Sequence, residues 1–539
     1  MNKTGRILVL DDEDPWRDEI SSVLDRAGFE VESAGSTETA EQMLTKSFYH
    51  LAILDISMVP DNIYDDQGLV LLGRLAEVNS RDAMQVIVLS NYGTPEQMRT
   101  AFRDHNVADF QSKTSFTKDP AAFVSRVQET FRNKVRINLD LNIQWEGIRD
   151  TSEFVTKLRL YGIPIKRDPE LCERTAAELD DLFCRLFFNA KSLLLKPLIP
   201  GQSGSSVLRA TPFYESGAGQ PVLVKFGELE KIDAEYRNYK EYVQAYIGGG
   251  RRTDVIAIRH TAHLAGVIYS LLGTASTHLD SFNAFFSRSE IANIRDVLQN
   301  LVHETCAPWY ANPGHLQLID LSAEYLRQLG STKENLQSAL SKGLKSVQGT
   351  HHLHFEGLST ERAFTNPLLL ATERHFSKST YECITHGDFN GDNVLVDTAG
   401  FSWLIDFECT GVGHILRDIA EMDTVVRFHF LAPEVANLEE RLSMEEMLCS
   451  VKRFSEVNAL TSAFKTENKG LLKAYETVVY LRTLAQKLVA QNPSDDIGEY
   501  YVALFYYSVN AIRFYGWPSI QRQHALLSAS LLADQLHQA

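Results

Sequence analysis

The chain is poor in the residues that staple a fold or span a bilayer. Its 539 residues hold six cysteines, at 172, 184, 306, 383, 409 and 449, and no Cys-x-x-Cys pair. That spacing excludes a zinc ribbon and a disulfide framework and points to a reduced, cytoplasmic setting. Long apolar runs are missing as well. The two most apolar stretches, 182–198 and 500–515, are broken by Arg185, Lys191 and Lys196 and by Arg513. A bilayer span needs roughly 18 uninterrupted apolar residues, so none is expected. Residues 1–10 set Lys3 and Arg6 before a short apolar run that enters an acidic cluster, which is not a secretory leader. Positive charge is in deficit, with 53 Lys and Arg against 70 Asp and Glu and a net charge of −17. An excess of that sign argues against nucleic acid or an anionic lipid surface as the main partner. At about 150 residues per domain the length allows three or four compact units.

What is present begins with alternation. Residues 6–10 form a short apolar run that meets Asp11 and Asp12, and 16–26 carry helical periodicity that stops at Gly28. The pattern repeats through 30–34, 37–45, an apolar run ending at Asp55 and another ending at Ser90. Such alternation predicts an α/β, doubly wound parallel sheet, in which ligands bind beyond the carboxyl ends of the strands. Asp11, Asp12, Asp55, Ser90 and Lys113 all fall on that rim. Two or three carboxylates there can hold Mg²⁺, which demands oxygen ligands and screens an arriving phosphoryl group. Asp55 is then the nucleophile, Lys113 the cation beside the acyl phosphate, and Ser90 the hydroxyl that follows a phosphoryl oxygen and shifts its loop.

Across residues 5–133 this set resembles the response-regulator receiver family. The resemblance implies a flavodoxin-like sheet, with Asp11, Asp12 and Asp55 as metal ligands, Asp55 as phospho-acceptor, and Ser90, Phe110 and Lys113 as switch residues. It also implies an upstream sensor histidine kinase or small phosphodonor as partner. Thr114 stands where the family has proline after the lysine, and the segment 56–67 before Gly68 is longer than usual.

Residues 134–194 read as a partly helical connector: 137–145 as a strand or extended linker, and 169–190 as an amphipathic helix whose apolar face needs a partner. From 195 the pattern is that of hairpins. A strand at 193–199, the turn Gly201-Gln-Ser-Gly204-Ser205-Ser206 and a strand at 208–213 would bring backbone amides over phosphates. The strand 221–225 ends at Lys225, and the helix expected over 233–246 contains Glu235, with Glu241 as a competing ion-pair partner.

The segment 381–406 carries the sharpest motif: His386-Gly-Asp388-Phe-Asn-Gly-Asp-Asn393, an apolar strand, a turn at Ala399-Gly400, a second strand, and Ile405-Asp406-Phe407. It is similar to the catalytic loop of the aminoglycoside phosphotransferase and choline-kinase-like family, relatives of protein kinases. That resemblance implies a two-lobed α+β domain: a small lobe over 195–273 and a mostly helical large lobe over 274–539 with its catalytic loop at 386–408. It implies Asp388 as the catalytic residue and Asn393 and Asp406 as Mg²⁺ ligands. Gly201, Gly204, Ser205, Lys225 and Glu235 are then the ATP-binding set, and Asp418 braces the loop. Asn390 stands where many members have histidine. His386 and His414 read as structural, Tyr500–Trp517 as aromatic core, 266–273 as a hinge between lobes, and 316–347 as the clearest helical stretch between the small lobe and the catalytic loop.

Together these readings give a two-component protein in which Asp55 phosphorylation regulates an ATP- and Mg²⁺-dependent phosphotransferase acting on a small-molecule or protein hydroxyl. Two alternatives stand beside it. One is a signalling adaptor whose output domain binds nucleotide without transferring phosphate. The other is an active enzyme whose receiver serves only to make a homodimer.

Overall fold

The computed structural model describes residues 4–57, 68, 70–73, 83–91, 95–105, 107–160, 163–199, 205–247, 252–272, 279–332, 335, 338, 347–348, 351–359 and 362–538. The chain divides into two compact units, Met1–Tyr236 with Asp254–Ser270, and Arg237–Thr253 with Leu271–Ala539.

The first unit opens with β1 (Arg6–Leu10), α1 (Asp14–Arg26), β2 (Glu30–Ala34), α2 (Thr37–Lys46), β3 (Leu51–Leu54), β4 (Gln85–Leu89), α3 (Pro95–Asp104) and β5 (Asp109–Gln111). The short helix α4 (Lys113–Lys118) and α5 (Pro120–Thr130) follow. The strands pair in parallel in the order β2-β1-β3-β4-β5. All four residues of β3 are buried, as expected of a strand covered on both faces. One apolar layer, with Leu8, Leu54 and Val88, lies on one face; Ile7, Ile53, Ile87 and Phe116 form the layer on the other. This is the doubly wound sheet that the alternation called for.

The connector is not a linker. Its strand β6 (Asn142–Trp145) and helices α6 (Thr151–Val155) and α7 (Pro169–Leu186) are built into a second sheet. That sheet runs β10 (Arg252–His260), β11 (Leu264–Leu272), β9 (Val222–Glu228), β8 (Ser205–Tyr214), β7 (Ser192–Ile199) and β6. The neighbouring strands β7, β8, β9 and β11 are antiparallel, whereas β6 joins the edge in parallel with β7. Helix α7 starts where the chemistry requires: Asp168 caps it by accepting from Leu171 N, and Pro169 takes the first position, where its missing N–H costs nothing. Leu179, Leu182, Phe183 and Leu186 then pack with Leu208, Val224, Phe226 and Ile268 of the sheet. Burying four such side chains is worth about 6–12 kcal/mol before chain entropy is counted. The helix expected at 233–246 is observed four residues earlier as α8 (Leu229–Asn238), continued by a π-helical turn at Tyr239–Val243.

The second unit contains β12 (Glu382–Thr385), β13 (Val394–Asp397), β14 (Ser402–Leu404) and β15 (Gly411–His414). Beyond them lie α9 (Arg417–Val425), α10 (Leu438–Leu448), α11 (Lys469–Leu488), α12 (Gly498–Ala511) and α13 (Ser519–Gln538). Helix α12 is apolar or aromatic nearly all round and almost wholly buried, so the Tyr500–Tyr507 aromatics are core, whereas Phe514 and Tyr515 beyond the helix are exposed. The stretch 316–347 is not one helix. It begins as a strand, Gln317–Asp320, and Asp320 then caps a helix over Leu321–Gln328 by accepting from Ala323 N. Most of 333–346 lies outside the described residues. No helix among the described residues is long and apolar enough to cross a membrane.

The helical bundle is held at its centre by buried charges. Arg427 donates to Asp423 at 2.6 Å and to Glu445 at 2.9 Å, and Arg482 donates to Asp423 at 3.1 Å. His524 Nδ1 accepts from Arg441 at 3.2 Å while its Nε2–H donates to Glu445 at 2.8 Å, a geometry that suits only the neutral ring. Burial lowers the pKa of His524 to about 4 from 6.5. Between those two values the unfolded chain binds the proton that the folded chain refuses, so stability falls as pH drops through that window. We expect His524 to contribute a loss of stability of this unit between pH 7 and pH 5, read by thermal unfolding, by a free energy of at most about 3 kcal/mol. His524→Gln should flatten that dependence, and an equal slope in the variant would contradict the assignment.

Candidate functional sites

Two constellations of side chains stand out, one in each unit. In the first, the carboxyl ends of β1 and β3 and the start of α4 converge. Asp11 and Asp12 follow β1, Asp55 follows β3, and Lys113 opens α4, whose cap Ser112 accepts from Ser115 N. Lys113 Nζ lies 2.7 Å from Asp11 Oδ2 and 2.6 Å from Asp55 Oδ2, with the lysine only 1 % exposed. The indole of Trp16 closes over the ammonium, 5.1 Å from it to the ring centroid. Desolvation pushes Asp11 up to about 6 against the pull of Lys113, and burial likewise raises Asp12. Lys113 is itself held above its ordinary value: its bonds to Asp11 and Asp55 outweigh a desolvation that acts the other way.

Three carboxylates around one lysine leave surplus negative charge, and one oxygen of each lies within 4.8 Å of the others. Asp12 Oδ2 is buried with no hydrogen-bond partner among the described residues. A divalent cation with oxygen preference fits that donor set, with Asp11, Asp12 and Asp55 as the residues that would hold it. Ser90, 2 % exposed, ends β4; its N–H donates to Gln111 O, and its carbonyl accepts from Lys113 N at 3.4 Å. Phe110 is half-buried on β5 against the apolar layer of Leu8, Leu54 and Val88. All five polar residues named from the sequence are thus brought together, while 58–67, the long segment after Asp55, lies outside the described residues.

Still within the first unit, Lys225 on β9 pairs with Glu235 on α8 at 2.6 Å, both side chains at most 2 % exposed. Tyr269 on β11 donates its hydroxyl to Glu235. Removing two such charges from water is costly unless they are paired, so the contact fixes helix to sheet. Glu241, the competing candidate, is exposed. Ser205 is buried at the start of β8, opposite Gly227, whereas Gly201 and Gly204 lie outside the described residues.

In the second unit the loop between β12 and β13 is held from three sides. Asp418 on α9 accepts from His386 N at 2.8 Å, from Gly387 N at 2.9 Å and from the Tyr310 hydroxyl at 2.8 Å. His386 donates its Nε2–H to Ile405 O at 3.1 Å and is structural, as read. Gly387 has φ +80°, and a Cβ there would sit 2.3 Å from Cys409 O, so both conformation and space call for glycine. Asn393 Nδ2 donates to Asp388 Oδ2 and to its backbone carbonyl, each at 2.9 Å, and Asn390 Nδ2 donates to Asp388 Oδ1 at 2.9 Å. The carboxylate of Asp388 is therefore fixed by two amides while remaining only half-buried. Ile405 N donates to Asn393 O at 3.0 Å, which brings the strand pair β13–β14 round so that Asp406 follows beside the loop. Asp406 takes the left-handed backbone, φ 71°, rare for a residue with a side chain and concentrated at functional sites.

Sequence reasoning missed Glu421. It lies three residues beyond Asp418 on α9, hence on the same helical face, and that spacing was the available signal. Its Oε2 accepts from Phe389 N at 2.7 Å and from the Tyr507 hydroxyl at 3.3 Å. Burial, with Asp388 nearby, pushes it up to about 8, which favours the protonated acid.

Residues 190–352 and 331–513 match the family model described as ternary complex associated domain 9, and together the two segments span more than half of the chain. The chain belongs to the ternary complex associated domain 9 family. The family segment contains Lys225, Glu235 and the whole loop from His386 to Asp418. Residues 7–125 match the response regulator receiver domain. The N-terminal part is thus a receiver domain, which places the chain in phosphorylation-regulated two-component signalling and implies a phosphodonor such as a histidine kinase. Among solved structures, the chain is similar to the signal receiver domain of an HD domain-containing protein from Pseudomonas fluorescens Pf-5 (15% identity, 24% of this chain and 100% of that one, TM-score 0.21). A CheY-like receiver domain protein from Methanospirillum hungatei JF-1 matches with 21% identity over 23% of this chain and 98% of that one, TM-score 0.20. The response regulator TrrA of Thermotoga maritima, solved in complex with Mg²⁺ and BeF, matches at 24% over 23% of this chain and 98% of its own, TM-score 0.19.

Removing one partner of a buried ion pair usually costs about 3–5 kcal/mol, because the charge left behind is uncompensated. We therefore expect Lys113→Gln to lower the melting temperature of the receiver at pH 7. The loss should be smaller at pH 5, below the raised value of Asp11, where that carboxyl takes up a proton and the remaining charge falls. An equal loss at both pH values in differential scanning calorimetry would contradict the ion-pair account.

Proposed function

We propose that the family segment is an ATP- and Mg²⁺-dependent phosphotransferase and that phosphorylation of Asp55 in the receiver domain regulates it. One observation carries the catalytic part: a half-buried carboxylate, Asp388, clamped by the amides of Asn390 and Asn393 and by the Asp418 brace beneath its loop. Phosphoryl transfer asks little covalent chemistry of a protein. It needs an acceptor held in line and charge placed where charge develops. Asp388 orients the acceptor hydroxyl and takes its proton as the oxygen bonds to the γ-phosphorus and ADP departs. Asn393 and Asp406 would hold Mg²⁺; Lys225, paired with Glu235 in the first unit, is the residue that the family resemblance implies for nucleotide. Mg²⁺, when bound, neutralises the phosphate oxygens. In the receiver, Asp11, Asp12 and Asp55 would hold a second Mg²⁺ while Asp55 receives phosphate from its donor.

The description of the family as ternary complex associated favours a second reading. A domain associated with ternary complexes would use nucleotide binding to assemble partners, with the receiver toggling that assembly and no phosphate transferred. The two readings part on one assay. Purified protein with γ-labelled ATP, Mg²⁺ and fractionated acceptor extract should give label transfer that falls about 10²- to 10⁴-fold in Asp388→Ala. ATP binding that needs Lys225, with transfer absent from every fraction, would instead favour the assembly reading. No ATP binding at all would overturn the phosphotransferase.

A further inference from the structure

Helix α7 lies outside both matched segments, yet it touches both the receiver and the second sheet. One face meets the receiver. Arg174 donates to Thr45 O, near the C-terminus of α2, at 2.9 Å. Two turns further along the same face, Asp181 Oδ1 lies 2.5 Å from His50 Nε2, and Arg185 donates to Asp181 Oδ2 at 2.7 Å. All three of these latter side chains are at most 4 % exposed. The tautomer is set by the receiver itself, because His50 Nδ1 accepts from Arg6 N at 2.8 Å and leaves Nε2–H to donate to Asp181. Asp181 keeps its charge despite complete burial, its pKa held below the ordinary value: desolvation alone would raise it, but Arg185 and His50 prevail. The ring of His50 also packs on Phe131 at the end of α5, centroids 5.7 Å apart.

The helix also meets the second sheet, through Glu178 beside Asp181 and through its leucines. Glu178 gathers the turn between β10 and β11, accepting from Thr261 Oγ1 at 2.7 Å and from His263 N at 2.6 Å. Leu182 and Leu186 press on Gly266 of β11, where an added Cβ would lie 3.0 Å from each. Gly266 pairs with Phe226 and Val267 pairs with Lys225. His50 immediately precedes β3, and Asp55 immediately follows it. A four-residue strand, one buried hydrogen bond and one helix thus join the phospho-acceptor to the strand that carries Lys225, through packed contacts at each step. Close-packed interiors transmit displacement because they have little room to absorb it.

We propose that α7 is the element through which the state of Asp55 reaches the strand of Lys225, with the buried His50–Asp181–Arg185 contact as its joint. His50 is a positioning residue in this scheme: it touches neither phosphate nor nucleotide and acts through the helix. Nothing in the proposal requires the family segment to transfer phosphate, so its test can be read without catalysis.

Hydrogen–deuterium exchange on the full chain, with Mg²⁺ alone and with Mg²⁺ plus beryllium fluoride to mimic the acyl phosphate, provides that test. In the unaltered chain, peptides around Asp55 and Ser90 should gain protection, and peptides covering β9 and β11 should change their exchange rate several-fold in step. His50→Phe keeps an aromatic ring at the joint and leaves Asp181 its arginine, while Arg174→Ala loosens the exposed contact without touching the core. In both variants the receiver peptides should still respond and the response of β9 and β11 should shrink or vanish. A joint that merely stabilises the fold would change basal exchange and leave the beryllium fluoride response intact. A β9 and β11 response that persists unchanged in both variants, or that is absent from the unaltered chain while the receiver peptides respond, overturns the proposal.

Discussion

The first unit depends on one buried carboxylate staying charged. Asp181 is buried in the middle of α7, on the side of the helix that meets the receiver. An unpaired charge there would cost several kcal/mol, more than most domains can spare. It is tolerated because Arg185 follows one turn later on the same helix and His50 arrives from the receiver. That pairing makes the receiver and the second sheet neighbours of a single helix. The remainder of the unit, from the Gly266 contact to the Lys225–Glu235 pair, is arranged on the sheet that α7 covers.

Both candidate sites solve a related problem by different means. Around Asp55 the excess negative charge is offset by a lysine that the structure has desolvated and pinned against Trp16. Around Asp388 side-chain amides and an orderly set of backbone N–H groups do the positioning. The difference matches the proposed roles. A phospho-acceptor benefits from a nearby cation that will stabilise the acyl phosphate, whereas a base must keep an oxygen available to a hydroxyl proton. Glu421, favoured in its protonated form and tied to Phe389 N, adds a hydrogen bond beneath the loop.

Much of this was legible in the chain. Apolar runs ending at Asp11, Asp55 and Ser90 read directly as strands of a parallel sheet, because burial on both faces removes the alternation that would blur them. The loop from His386 to Asp406 was equally plain as a motif, since its polar residues stand at fixed spacing around two apolar strands. The connector was not. Strand β6 is four residues long and alternates between exposed and half-buried positions at a sheet edge, too short a signal to separate from linker. Periodicity identified α7 as a helix, but a histidine 131 residues away in sequence cannot be paired with Asp181 from pattern alone. The stretch at 316–347 misled for a local reason: the helix that begins at Leu321 carries its periodicity back across Asp320, a cap that ends one element and starts the next.

The account stands or falls on whether the receiver and the family segment share free energy. Binding of Mg²⁺-ATP to the full chain, measured by isothermal titration calorimetry with and without beryllium fluoride on the receiver, reads that coupling directly. The account predicts two dissociation constants that differ by about 5- to 150-fold, the range of ordinary allosteric coupling, with the difference abolished in Asp55→Asn. Identical constants in both receiver states would contradict it.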